Sequence, residues 1–163
     1  MVGTVHYIVN LAIRIPLTSY AKGFPMLSSR RLDVLFLIPV KLKEVYQGLA
    51  GDHAIEPPAK ARFMASYLMR RGYGVDLIDA GVTGFDPEAM AKEVCLRNPK
   101  LVVIPVYGFN PSSSTHTMPA ARVYAQAVKD LCPEIPIMMT GTHPTALPER
   151  TLREEPVNFV CGG

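Results

Sequence analysis

The stretch Ile137–Glu149, IMMTGTHPTALPE, ends an apolar run in Thr140, Gly141, Thr142 and His143. Two hydroxyls, a glycine and an imidazole at the end of a buried strand put hydrogen-bonding groups and bare backbone where a ligand can reach them. A second such stretch is YGFNPSSSTHT, residues 107–117, where Ser112, Ser113, Ser114 and Thr115 crowd the start of an expected helix. Hydroxyls there join the free backbone N–H groups of a first helical turn, a setting that suits phosphate or amide groups. One N-cap hydroxyl with solvated neighbours would produce the same pattern without any ligand. Gly141 allows the chain to approach a ligand with no Cβ between them. On that reading Gly141→Val lowers ligand affinity about tenfold or more, roughly 1.4 kcal/mol, and leaves the fold intact.

Both loops need regular elements to hold them. DVLFLIPV, from Asp33, is a short continuous apolar run of the kind buried on both faces of a parallel sheet. A helix follows from Pro57 and Pro58, with Ala61, Met64, Ala65 and Leu68 on one face and Gly72 and Gly74 near its end. GVDLIDA is the second strand. Asp86 then N-caps a helix that opens at Pro87, pairs Glu88 with Lys92 and stops before Pro99. KLVVIPVYG is the third strand, and STHTMPAARVYAQAVKDLCP is a helix with Met118, Ala121, Ala125, Val128 and Cys132 on its apolar stripe. IPIMMTG, a short helix PERTLREEP and a last strand VNFVCGG complete the pattern. Alternating strands and helices with short connections imply a doubly wound parallel sheet with helices on both faces. Its expected form is flavodoxin-like (Rossmann-like), five strands in the order 2-1-3-4-5, with ligands at the carboxyl ends of the strands. The exits of all the strands, including Pro39 and Val40 after the first, share that edge.

A chain of 163 residues, 48% hydrophobic and 19% charged, suits one globular domain. Three cysteines, Cys95, Cys132 and Cys161, widely spaced and without Cys-x-x-Cys, suggest neither a disulfide framework nor a zinc site, and a cytoplasmic setting is expected. Residues 1–43 hold six Lys/Arg against one acid and residues 44–163 eleven against thirteen, so the main body is no nucleic-acid binder. Residues 1–32 read as a peripheral or partly disordered extension. Their apolar stretch is interrupted by His6, Asn10 and Arg14 and falls short of the roughly 20 residues that a spanning helix needs; no membrane partner is expected, and Met26 is a possible alternative start.

The loops exclude several chemistries of such sheets. A phosphoacceptor receiver needs acids after the first strand, where Ile38-Pro39-Val40 stands; an FMN site needs a hydroxyl-rich loop there, where KLKEVYQGLAGDHAIE stands. A dinucleotide site needs Gly-x-Gly-x-x-Gly at that place, and none is present.

In order, LFLIPV, PPAKARFMASYLMRRGYGVDLIDA, NPKLVVIPVYGFNPSSS, IPIMMTGTHPTALPE and VNFVCGG resemble the N-terminal cobalamin (B12)-binding domain of the B12-dependent radical S-adenosylmethionine enzymes over residues 33–163. Gly141-Thr142-His143 stands where that family has Gly-Gly-x-His, and its Gly-Glu tail after the fifth strand stops here at Gly163. The resemblance implies a cobalamin module of a methyltransferase or related enzyme. Tyr107, Gly108, Phe109 and Asn110 would lie under the corrin; Ser112 to Thr115 and Gly141 to His143 would surround its nucleotide tail; Pro39, Val40, Thr140 and Gly162 would complete the edge. It implies no catalytic group and no protein ligand to the metal. Asp-x-His-x-x-Gly, whose histidine ligates cobalt in other B12 proteins, is not matched, since Asp52 and His53 are adjacent. The spaced cysteines that bind a [4Fe–4S] cluster are also missing, so that cluster, S-adenosylmethionine and the radical domain belong to a partner in cis or in trans, and a fragment is the favoured explanation. The other reading is a non-catalytic α/β domain that binds a nucleotide or another protein through the same hydroxyl loops.

Overall fold

An uninterrupted apolar strand has to be covered on both faces. In the computed structural model, Val34–Ile38 (β1) accordingly lies inside the sheet, between Val75–Asp79 (β2) and Leu101–Val106 (β3). Ile137–Gly141 (β4) and Phe159–Cys161 (β5) complete five parallel strands in the order β2-β1-β3-β4-β5. The structure describes residues 32–39, 57–107 and 111–162, without the side chains of residues 111–113. These belong to one unit, residues 31–163.

Alternate residues of each strand feed opposite cores. Phe36 and Val103 pack with Ala61 and Ala65 of the helix Ala59–Met69 (α1). On the other face Leu35, Leu37, Val102, Ile104 and Val106 pack against Met90, Ala91 and Val94 of Pro87–Arg97 (α3) and the stripe of Pro111–Leu131 (α4). Met118, Ala121, Ala125, Val128 and Cys132 of that stripe are all buried, as their spacing requires. Tyr124, 1% exposed, joins them and donates its hydroxyl proton to Phe85 O at 2.9 Å.

The local signals act as read. Asp86 caps α3 by accepting from the N–H of Ala89 at 2.8 Å, and Glu88 meets Lys92 at 2.6 Å. The Glu88 carboxylate raises the pKa of Lys92, but both groups lie in water, where the pair adds little stability. At the amino ends of the strands, the Asp33 carboxylate accepts from Gly74 N–H at 2.8 Å and Lys100 Nζ at 2.7 Å, tying β1, β2 and β3 together. Asn158 Oδ1 does the same for β4 through Ile137 N–H at 2.9 Å and Lys129 Nζ at 2.7 Å. These polar groups build the edge opposite the strand exits.

Three features depart from the sequence reading. Two short helices, Ala80–Thr83 (α2) and Thr142–Ala146 (α5), stand where no helix was expected, being too short to show a helical period; the expected helix after the fourth strand is Pro148–Glu154 (α6). The helix α4 begins at Pro111 rather than Ser114, because proline's fixed φ suits a first helical position. Finally, Cys95 and Cys132 form a disulfide, with Cα atoms 6.0 Å apart. Their separation of 37 residues hid a pairing that the docking of α3 on α4 creates.

Candidate functional site

β3 and β4 end level with one another, Val106 opposite Gly141. At Gly141 the backbone takes φ +145° and ψ 178°, a conformation that side chains rarely adopt. A Cβ there would lie 2.0 Å from Val106 O and 2.6 Å from the Val106 carbonyl carbon. The space that glycine keeps clear is therefore filled by the neighbouring strand. This corrects the expectation that Gly141→Val would leave the fold intact.

From this junction the hydroxyls radiate. Ser114, fully buried in α4, donates to Val106 O and accepts from His143 N–H at 3.0 Å. One hydroxyl thus joins the exit of β3, α4 and the start of α5. Next to it the exposed Thr115 Oγ1 meets His143 Nδ1 at 3.0 Å, which orients a half-buried imidazole. Thr140, 6% exposed, brings Oγ1 to 3.5 Å from the hydroxyl of Tyr107. Thr142 is exposed on α5. Gly162 lies beyond β5 against the same helix, where an added Cβ would meet Thr145 Cγ2 at an ordinary 3.7 Å. Pro39 is buried at the exit of β1.

The structure therefore brings Tyr107, Ser114, Thr115, Thr140, Gly141 and His143 to the carboxyl ends of β3 and β4, in two hydrogen-bonded groups: Ser114 and Thr115 with His143, and Tyr107 with Thr140. Ser112 and Ser113 lie in the first turn of α4, but their side chains fall outside the described residues. So do Val40, Gly108, Phe109 and Asn110, and also Asp52 and His53. Two contributions were not read from the sequence. Lys60 in the first turn of α1 holds Nζ 4.4 Å from the centroid of the Tyr107 ring. Ala59, Lys60, Phe63 and Met64 form with Tyr107 an open groove of about 450 Å³. The signal was present in the topology: α1 follows β1, so its first turn must stand at the strand-exit edge. A second groove of about 380 Å³ lies beside β2, between Pro57, Asp79, Thr83 and Arg97.

Among the described residues no three His, Cys, Asp or Glu side chains come together as a metal site, and no buried side-chain polar atom lacks a partner. The donor set is mainly hydroxyls with one imidazole, each able to donate or accept a hydrogen bond. Such a set suits a ligand rich in amides. No described helix is long and apolar enough to cross a membrane. A family model described as B12 binding domain matches residues 52–163. No curated protein and no solved structure matches the chain. The matched segment takes in α1 to β5, all of the hydroxyl cluster and also Asp52 and His53, while β1 precedes it. Cobalamin carries primary amides around its ring and one phosphodiester in its tail, so the residues at the strand exits fit it.

Proposed function

The chain belongs to the B12 binding domain family, and we propose that it holds cobalamin at the strand-exit edge for a radical S-adenosylmethionine partner, a methyltransferase or related enzyme, with no histidine on the metal. The observation that carries the placement is the cluster of Tyr107, Ser114, Thr115, Thr140 and His143 around the Val106–Gly141 junction. It stands at the edge where open parallel sheets take their ligands.

On this reading residues 33–163 are the cofactor domain and residues 1–32 an N-terminal extension. Tyr107, with Gly108, Phe109 and Asn110 after it, forms the floor beneath the corrin. Thr115 and His143, with Ser112, Ser113 and Thr142, bind the nucleotide tail, and Pro39, Val40, Thr140 and Gly162 close the rim. Ser114 contributes by position, because both of its observed bonds go to the protein. Bound cobalamin supplies methyl-carrying chemistry. This chain's part is to bind and orient the cofactor and keep water from its lower face; it supplies no acid, base or nucleophile. The [4Fe–4S] cluster and S-adenosylmethionine belong to the partner domain, in cis or in trans; the cytoplasmic setting expected from unpaired cysteines loses that support with the Cys95–Cys132 disulfide.

Absence of an axial histidine is read from the unmatched Asp-x-His-x-x-Gly, since Asp52 and His53 are adjacent. Electron paramagnetic resonance of the chain loaded with Co(II) cobalamin should show no nitrogen superhyperfine splitting on the cobalt lines. A clear nitrogen pattern would overturn the proposal. Its loss on substituting His53, His116 or His143 would then identify the ligand.

A further inference from the structure

We infer that Lys60 is a positioning residue for cobalamin, acting by clamping the Tyr107 ring that forms the floor of the site; this rests on the function proposed above. Tyr107 leaves β3 half-buried, and a side chain in that position has alternative rotamers open to it. Here it is held from two directions. Its hydroxyl lies 3.5 Å from Oγ1 of Thr140, which is buried and fixed by the sheet. On its face the Lys60 ammonium sits 4.4 Å from the ring centroid, within the range in which a cation is attracted to an aromatic face. The two restraints come from different elements, α1 and β4, so together they define both the tilt and the swing of the ring.

The surroundings give this clamp a purpose beyond stability. Tyr107 and Lys60 line the same open groove with Phe63 and Met64, and Phe63 is 76% exposed. Lys60 itself is exposed, so the contact buries little and adds little to folding. A preset ring lowers the entropy lost when a flat ligand settles against it. The clamp acts on the part of the site assigned to the corrin ring and not on the part assigned to the nucleotide tail. A ligand that shares the ring and lacks the tail must therefore feel it equally.

The test is a set of binding titrations on the full chain with hydroxocobalamin and with cobinamide, which has the corrin ring and no nucleotide tail. Lys60→Ala should raise Kd about fivefold for both, about 1 kcal/mol, with an unchanged melting temperature. Lys60→Arg, which keeps a cation over the ring, should restore binding. In a Tyr107→Ala background the Lys60 effect should vanish, and in Tyr107→Phe, which keeps the ring, it should persist. An unchanged Kd in Lys60→Ala, or an undiminished effect in the Tyr107→Ala background, would overturn the inference while leaving cobalamin binding intact. Failure of the wild-type chain to bind either corrinoid would remove the functional reading and this inference with it.

Discussion

Gly141→Val should cost the domain on the order of 4 kcal/mol, and cofactor binding should be lost with the fold rather than apart from it. Two terms add. A residue with a side chain at φ +145° carries strain of roughly 1–3 kcal/mol. Its Cβ must also displace the Val106 carbonyl, which a Cβ would approach to 2.0 Å, and forcing added volume into packed structure costs about 1–3 kcal/mol more. Backbone in the middle of a sheet cannot rotate aside as the tip of a long side chain can. The melting temperature should fall by roughly 10 °C for a chain of this size, and Gly141→Ala should share most of that loss because its Cβ is the same. A Gly141→Val protein that melts like the wild type and binds cobalamin weakly would restore the view that the glycine clears space for a ligand.

Ser114→Ala should be the next most damaging change, at about 2 kcal/mol. The hydroxyl is fully buried, donates to Val106 O and accepts from His143 N–H. Alanine fills nearly the same space and removes both bonds, leaving a buried carbonyl and an amide short of a partner at about 1–3 kcal/mol. Because Ser114 joins β3, α4 and α5, the loss should also release His143 and raise the Kd for hydroxocobalamin several-fold. Ser114→Thr, which restores the hydroxyl, should recover part of the stability. A Ser114→Ala variant with wild-type melting temperature and affinity would show that this junction is held by something else.

Much of the architecture was legible because hydrophobic period and punctuation agreed. Asp86 before Pro87 marked the start of α3, and the stripe from Met118 to Cys132 marked the buried side of α4. The uninterrupted runs of β1 and β3 marked strands covered twice, and five strands alternating with helices suggested the flavodoxin-like order, which is the order found. The strand-exit edge followed from topology, which puts Thr140, Gly141, His143, Ser114 and Tyr107 on one edge of the sheet. What each of them does there was harder to read. Ser114 looked like a ligand-facing hydroxyl, but α4 starts at Pro111 and turns it inward to brace the strand ends. Gly141 looked like an opening, but the strand that a Cβ would strike is 35 residues away in sequence. The approach of Lys60 to Tyr107 and the pairing of Cys95 with Cys132 depend on how helices dock, and no local pattern encodes that.

The most direct test is equilibrium dialysis of the 163-residue chain against hydroxocobalamin, with the bound fraction read from its visible absorption. The account predicts saturable binding of one cobalamin per chain, weakened in Ser114→Ala and in Lys60→Ala. A folded chain that retains no cobalamin at any concentration reached would contradict it.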